Sequence, residues 1–200
     1  QMFNYEVEIS KEVKNNYVVF RTYASEGGLG DMHLLMHESE IPSPAKNNFS
    51  SSLFHENIIA VKTGNGKNQH FYVTVVCPEK CKGNLTYYST NYIHMDANDH
   101  FEFIGGDYYT LAFLRERIEQ SQSIQLVLLG PQLPLDKTYL QIGYGQDDGQ
   151  IIITQDIPKS GLLINGMELS YILHPSDNKY KGKYIFVRVG GLTGHYMRFM

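Results

Sequence analysis

The residues with the clearest capacity for chemistry lie in one short segment, from His94 to His100, where acidic, amide and imidazole groups are concentrated. Asp96, Asn98 and Asp99 carry oxygen atoms of the kind that Ca²⁺ prefers. A polar linker between two modules would have the same composition. The segment therefore predicts either a calcium site with these three ligands or a solvated connection.

The two cysteines, Cys77 and Cys81, are separated by three residues. No further Cys or His cluster accompanies them to complete a zinc site, and the Cys-x2-Cys spacing that redox motifs use near a βαβ pattern is absent. We therefore predict a disulfide that closes a small loop. The sequons at Asn48 and Asn84 predict glycosylation and indicate the same oxidising secretory compartment.

A group of tyrosines near the middle of the chain is the candidate ligand platform, because tyrosine offers a broad contact area with little conformational entropy to lose. Its members are Tyr87, Tyr88, Tyr92, Tyr108 and Tyr109. Packing of alternate tyrosines into a core is the other interpretation, since each strand must bury one face.

Sequence motifs of hydrolases and nucleotide-binding enzymes are not found. There is no Gly-x-Ser-x-Gly nucleophile elbow, and neither His37-Glu38 nor His55-Glu56 is followed by a second His at the metalloprotease spacing. The glycine clusters at 27–30 and 190–194 have neither a helix pattern after them nor a P-loop lysine, so they are typical of turns. We expect no catalytic activity and no cofactor.

The composition favours an all-β protein and excludes two classes of partner. The chain has 15 Tyr and 10 Phe beside many Ile, Val and Thr, and amphipathic runs of helical length are nearly absent. A formal net charge of -4 without a block of Lys or Arg gives no electrostatic basis for binding nucleic acid. No apolar stretch has the roughly 20 residues that cross a bilayer, so a membrane would be reached only through a segment outside this chain.

Alternation of apolar and polar residues places the strands of the first half. Phe3, Tyr5, Val7 and Ile9 lie on one face of the first predicted strand. Further strands are predicted at 17–23, 31–36, 57–61 and 71–76. The Gly64-Asn65-Gly66 turn predicts that the last two form a hairpin.

The second half repeats this order of strands. Its predicted strands are at 100–104, 108–113, 123–129, 136–142, 166–173 and 183–189, and they follow the same succession of strand and turn. We predict two tandem antiparallel β-sandwich domains of the jelly-roll or Ig-like kind, residues 1–93 and 94–200. One continuous sandwich would have a similar strand spacing and is the alternative.

Three motifs carry a resemblance to a known domain family: Gly30-Asp31-Met32-His33-Leu34, Glu56-Asn57-Ile58-Ile59 and Phe71-Tyr72-Val73-Thr74-Val75. They resemble the pre-peptidase C-terminal domain, a small β-sandwich whose pattern runs Gly-Asp-x-Asp-Leu, then Glu-x-Ile, then Tyr-x-Val-x-Val. The match covers the first half, and a second copy is anchored by the strand 184–189. His33 stands where the family has its second Asp.

Tandem modules rich in Asn and Tyr also resemble the lumenal part of the protozoan cysteine protease binding protein family, single-span receptors that carry lysosomal hydrolases to lysosomes and phagosomes. The resemblance implies a non-catalytic lumenal or extracellular module of the secretory pathway that binds protein cargo such as lysosomal hydrolases. A carbohydrate-binding module that recognises glycans through its tyrosines, or an accessory domain of a secreted enzyme, is the alternative.

Overall fold

The structure is a computed structural model, and the part of the chain that it describes is all-β, as the composition predicts. The described residues are 1–25, 32–51, 56–63, 66–95, 101–104, 108–113, 124–130, 137–145, 151–156, 163–165, 168–173, 183–191 and 196–199. None of these segments forms a helix with the length and apolar character that a membrane crossing requires.

The described strands are short, and most of them pair in antiparallel fashion. In chain order they are β1 (Met2–Ile9), β2 (Tyr17–Ala24), β3 (His33–His37), β4 (Phe49–Ser51), β5 (Glu56–Lys62), β6 (Gln69–Val76), β7 (Gly83–Thr90), β8 (Ile93–Met95), β9 (Phe101–Ile104), β10 (Tyr108–Phe113), β11 (Ile124–Leu129), β12 (Tyr139–Gly145), β13 (Ile151–Asp156), β14 (Leu163–Asn165), β15 (Glu168–Leu173), β16 (Tyr184–Gly190) and β17 (Tyr196–Phe199).

The chain divides into two compact units. Unit 1 comprises Gln1–Thr90 with Phe101–Phe103, and unit 2 comprises Asn91–His100 with Ile104–Met200. The assignment of residues 1–93 and 94–200 to two tandem sandwich domains stays a prediction.

Unit 1 contains two sheets that pack face to face. The first has the strand order β1-β6-β3-β4, with antiparallel pairing throughout. In the second, β2 lies between β7 and β5, and β9 adds to β5 in parallel. Phe20 of β2 and Phe71 of β6 meet edge to face, with ring centroids 5.6 Å apart, and β5 lies against β3 and β4. Consequently β1 and β7 occupy the same edge of this β-sandwich.

On the side of unit 1 away from β1 and β7, a buried polar side chain connects the two sheets. Asn57 of β5 accepts a hydrogen bond from the Ser51 hydroxyl at 2.9 Å, and its Nδ2 donates to the carbonyl oxygen of Met32 at 2.7 Å. Asn57 and Ser51 are buried, so these bonds replace contacts that water makes in the unfolded chain. The amide thereby ties β5 to β4 and to the start of β3.

Unit 2 repeats the strand pairing of unit 1. Strands β10, β16, β12 and β13 pair in the same antiparallel order as β1, β6, β3 and β4. Likewise β11 lies between β17 and β15, as β2 lies between β7 and β5. Ile185, Val187 and Val189 of β16 are fully buried, together with Leu128 of β11. These residues supply the apolar core of unit 2.

Unit 2 has an additional strand at one sheet edge. β8 pairs in parallel with β10, so that Ile93 lies opposite Leu111 and Met95 opposite Phe113. Ile93 is 0% exposed. In unit 1 the counterpart of β10 is β1, which is the last strand of its sheet among the described strands. The two units therefore share a topology and differ at this edge.

The predicted hairpin between the strands at 57–61 and 71–76 is wrong. Gly66, the last residue of the predicted turn, has a φ of 61°, a conformation that favours glycine. However, β5 pairs with β2 in one sheet and β6 pairs with β1 and β3 in the other. The chain crosses from sheet to sheet because both strands are apolar enough to line a shared core, and turn residues alone do not choose the partner strand.

Candidate functional site

Three aromatic side chains are exposed at the edge of unit 1 that β1 and β7 form. On β1, Val7 and Ile9 are buried, whereas Phe3 and Tyr5, on the same face by alternation, are 45% and 44% exposed. Tyr87 of β7 is 54% exposed. We call this region, defined by Phe3, Tyr5 and Tyr87, the open side of unit 1.

The open side continues the core of unit 1. Tyr87 lies opposite Phe20 in the β2–β7 ladder, and the two rings are 6.1 Å apart. Phe20 is fully buried. The inner faces of both sheets thus carry aromatic residues up to their last described strands, where no further strand covers them among the residues that the structure describes. Grouped exposed aromatic residues are the usual composition of a binding surface.

The backbone of β1 presents hydrogen-bonding groups along the same edge. The backbone nitrogen of Gln1 donates to the carbonyl oxygen of Cys77 at 2.7 Å, and the N–H of Cys77 donates to the carbonyl oxygen of Gln1 at 2.8 Å. This hydrogen-bonded pair determines which residues of the β1–β6 ladder are bonded to each other. Because bonded and non-bonded pairs alternate in an antiparallel ladder, Asn4 and Glu6 belong to non-bonded pairs. Their N–H and C=O groups therefore point away from β6, and no described strand pairs with that edge.

The other face of β1 is acidic. The carboxylate of Glu6 lies 3.4 Å from Nδ1 of His70 and accepts a hydrogen bond of 3.4 Å from the Tyr72 hydroxyl. The carboxylate of Glu8 lies 4.0 Å from Nε2 of the same His70 and accepts a hydrogen bond of 2.7 Å from Nδ2 of Asn68. Both carboxylates are more than half exposed, so they remain accessible to a cationic partner.

A disulfide bounds the open side at one end. Cys77 and Cys81 are joined, as their spacing predicts, with a Cα–Cα separation of 5.8 Å. Their loop connects β6 of one sheet to β7 of the other, beside the start of β1. The disulfide is compatible with an extracellular or lumenal location.

One carboxyl group elsewhere on unit 1 has a shifted pKa. Lys46 hydrogen-bonds to Glu40, with 2.6 Å between Nζ and Oε1, and this contact lowers the pKa of Glu40. His37 lies 3.7 Å from the same carboxylate and acts in the same direction. The Glu40 side chain is 44% exposed, and both members of the ion pair belong to the loop between β3 and β4.

The structure separates the tyrosines that the sequence groups together. Tyr87 and Tyr88 point to opposite faces of β7, and Tyr88 is half-buried. Tyr92 belongs to unit 2. Tyr108 and Tyr109 are the first two residues of β10, a strand of which only the backbone is described. Of the five, only Tyr87 is placed with its ring at the open side, and a ligand-binding role for the others stays a prediction.

Tyr92 takes part in a ring cluster of unit 2. Its ring meets Phe186 at 5.3 Å and His94 at 5.0 Å, both edge to face. His94 in turn meets Tyr184 at 5.9 Å. Phe186 is fully buried and the other three rings are half-buried, so this cluster covers the outer face of β16 and fastens β8 to it.

The predicted metal ligands Asp96, Asn98 and Asp99 lie outside the described residues. Within the described part of the chain, no group of three or more His, Cys, Asp or Glu side chains is placed to hold a metal ion.

The two predicted glycosylation sites differ in their surroundings. Asn84 is exposed on β7. Asn48 is half-buried, and its Oδ1 accepts a hydrogen bond of 3.0 Å from the backbone N–H of Glu38. Modification of either residue stays a prediction, and Asn84 is the more accessible acceptor.

Sequence reasoning missed the combination of groups around β1. Alternation places Phe3 and Tyr5 on the inner face, and that is correct, but it carries no information about which strand ends a sheet. Glu6 and Glu8, two residues apart on a strand, are a legible signal for an acidic face. Their neighbour His70 is 62 residues away from Glu8 in sequence and is brought close only by the β1–β6 register.

No protein-family model matches the chain, and no curated protein matches it. Among solved structures it is similar to dimeric latent PorU from Porphyromonas gingivalis, with 8% identity, a TM-score of 0.27, and coverage of 97% of this chain and 18% of that one. It is also similar to infectious bursal disease virus, Gx strain, and to the VP2 subviral particle of that virus. Both have 10% identity, a TM-score of 0.20 and coverage of 92% of this chain, with 56% and 57% of theirs. The chain spans less than two thirds of each, and similarity this low carries no argument.

Proposed function

We propose that the chain is a module that binds a protein partner at the open side of unit 1. The observation that carries the proposal is the exposure of Phe3, Tyr5 and Tyr87 in continuity with the core, beside a strand edge that pairs with no described strand. Aromatic residues that are rigid and already partly packed lose little entropy on binding, and they dominate the energetics of protein interfaces.

The partner is protein cargo of the lysosomal hydrolase class, and the module is the lumenal part of a sorting receptor in the secretory pathway. This assignment is supported by the resemblance to the protozoan cysteine protease binding proteins and by the disulfide between Cys77 and Cys81. Addition of a glycan at the exposed Asn84 would agree with the same compartment. An electrophoretic mobility shift on glycosidase treatment, lost in Asn84→Gln, tests that part.

The two units serve this function as tandem β-sandwich domains of the pre-peptidase C-terminal kind. The support is their identical pairing of corresponding strands, with β1, β6, β3 and β4 matched by β10, β16, β12 and β13. Duplicated sandwiches with diverged edges let one module bind while its neighbour acts as a spacer. Limited proteolysis that cuts first between β7 and β8, leaving two resistant fragments, is the expected result.

The test is retention of hydrolases from a lysosomal extract on the immobilised chain, with a known hydrolase receptor as the positive reference. The triple variant Phe3→Ser, Tyr5→Ser, Tyr87→Ser should retain roughly tenfold less, because aromatic hot spots carry most of the binding energy at an interface. Tyr139→Ser, which removes a tyrosine that is 37% exposed in unit 2, is the matched control and should retain as much as the unmodified chain. Equal retention by all three proteins contradicts the proposal.

A further inference from the structure

We propose that the partner is held by β-strand addition. An extended segment, in which apolar residues alternate with Lys or Arg, forms a parallel strand along the edge of β1 that no described strand occupies. This inference rests on the proposed protein-binding function of the open side and specifies the chemistry of the segment that binds there.

Unit 2 contains an extended segment that is paired with the corresponding strand. β1 and β10 hold the same place in the strand order of their units, and the edge of β10 is occupied by β8 in parallel. The occupying segment is short, and its Ile93 is fully buried. The side chains on either side of Ile93, those of Tyr92 and His94, point to the opposite face and pack on other rings. The edge in unit 2 thus accepts an extended segment with one apolar side chain directed inward.

The backbone of β1 is ready for the same addition. The outward N–H and C=O groups of Asn4 and Glu6 form the edge that a new strand requires, and main-chain hydrogen bonds supply the affinity in this mode of recognition. An unpaired strand edge is a template for pairing with another chain. The inward side chain of the segment would contact Phe3 and Tyr5 from one sheet and Tyr87 from the other.

The charges beside β1 select the outward side chains of the segment. Glu6 and Glu8 lie on the outer face of β1, more than half exposed, where alternate residues of an added strand would be their cross-strand neighbours. Opposite charges there are stabilising, so Lys or Arg is preferred. The corresponding face of unit 2 carries Tyr184 and Phe186, against which Tyr92 and His94 pack. The two edges therefore fit segments of the same shape and different chemistry.

The experiment uses the whole chain with its disulfide intact and a labelled seven-residue probe, Lys-Val-Lys-Ile-Lys-Val-Lys, acetylated and amidated. Fluorescence polarisation at low salt measures its affinity. One comparison peptide has the same composition with its lysines contiguous, and another has Glu in place of every Lys. The alternating basic peptide should bind at least roughly tenfold more tightly than either, because only it matches both the alternation and the charge of β1.

Two sets of variants distinguish the contribution of the Glu6 and Glu8 charges to peptide binding from that of the backbone hydrogen bonds of β1. Glu6→Lys with Glu8→Lys should weaken binding of the basic probe roughly tenfold and allow binding of the acidic peptide instead. Glu38→Lys, at an exposed position in the loop after β3, should leave both affinities unchanged. Asn4→Pro removes an outward N–H and should weaken binding roughly fivefold, while Asn4→Ala keeps that N–H and the affinity. The charge reversal needs no new backbone conformation, so it tests the proposal even if the proline variant unfolds.

Four outcomes would overturn the inference. The first is equal affinity for the alternating and contiguous basic peptides, and the second is no effect of the charge reversal. The third is a dimer in light scattering that Asn4→Pro dissociates and Asn4→Ala does not, since the edge would then belong to a second copy of the chain. The fourth is loss of hydrolase retention on substitution of Phe3, Tyr5 and Tyr87 without any peptide binding, which overturns strand addition and leaves the proposed function unaffected. Peptide binding without hydrolase retention overturns only the cargo assignment.

Discussion

Unit 1 and unit 2 have the same strand pairing, but the corresponding edge strand is covered by a further strand only in unit 2 among the described residues. In unit 2 the edge strand β10 is covered by β8, whose Ile93 is completely buried. In unit 1 the equivalent strand β1 ends its sheet within the described residues, and Phe3 and Tyr5 are almost half exposed. The same strand pairing can therefore end in a covered edge strand or in one that no described strand covers, and a single short strand, β8, makes the difference.

The largest expected effect comes from removing the side chain that closes unit 2. Ile93→Ala should lower the free energy of unfolding by about 2–5 kcal/mol, because a fully buried isoleucine loses its burial and leaves a cavity. Tyr5→Ala at the open edge should cost less than about 1 kcal/mol, because its side chain already contacts water. Urea unfolding of both variants measures the difference. Equal costs would mean that the two edges do not differ in closure.

The stability of unit 1 should depend on the buried amide of Asn57, which connects its two sheets. The change Asn57→Ala leaves the buried Ser51 hydroxyl and the Met32 carbonyl without this partner, and an unsatisfied buried polar group is costly. We expect a loss of roughly 2–3 kcal/mol in the same urea measurement. Asn68→Ala, at an exposed site beside the acidic face of β1, is the control and should change stability little. A cost for Asn57→Ala no larger than that of the control would contradict the role given to the amide.

The disulfide should stabilise unit 1 without being needed for strand addition. Replacing Cys77 and Cys81 by serine opens a loop of sequence separation 4, and the chain-entropy contribution of so short a loop is about 2 kcal/mol. Thermal unfolding with and without reductant checks this value. Because β1 keeps its ladder with β6, the peptide affinity of the folded variant should change little, and a complete loss of binding would place the disulfide in the site itself.

The smallest effect concerns Glu40. Since the hydrogen bond from Lys46 lowers the pKa of this carboxyl in the folded state, the pair stabilises the fold at pH values above the ordinary pKa of glutamate, and the contribution is lost as the pH falls through the lowered pKa. Lys46→Met should raise the pKa of Glu40 towards its ordinary value, as read from its side-chain carbon shift in an NMR titration. An unchanged titration would show that the contact is absent in solution.

Much of the strand content follows from the sequence because its cause is local. The alternation from Phe3 to Ile9 predicts β1, and the apolar runs at 17–23 and 71–76 predict β2 and β6. β7 is harder to predict, because Gly83–Thr90 contains a single aliphatic residue, Leu85, among mostly polar ones, as edge strands often do. The sequence predicts that Tyr87 and Tyr88 lie near a domain junction. In the structure they belong to β7, a strand that pairs with β2.

The candidate site could be predicted only in part because it depends on long-range pairing. The acidic positions Glu6 and Glu8 and the aromatic Phe3 and Tyr5 are legible in the sequence. That β1 ends its sheet while β10 is covered by β8 is a property of the register, set by which strands find each other. The wrong hairpin after Val61 has the same origin, since a turn sequence fixes a reversal of direction and leaves the pairing partner open.

The most direct test of strand addition is amide hydrogen exchange in β1 with and without the peptide Lys-Val-Lys-Ile-Lys-Val-Lys. In the free chain the outward N–H groups of Asn4 and Glu6 should exchange fast, and those of Phe3 and Tyr5, bonded to β6, should exchange slowly. Saturation with the peptide should protect Asn4 and Glu6 and leave Phe3 and Tyr5 as they were. Unchanged exchange at Asn4 and Glu6 with the peptide bound would contradict strand addition at the open side.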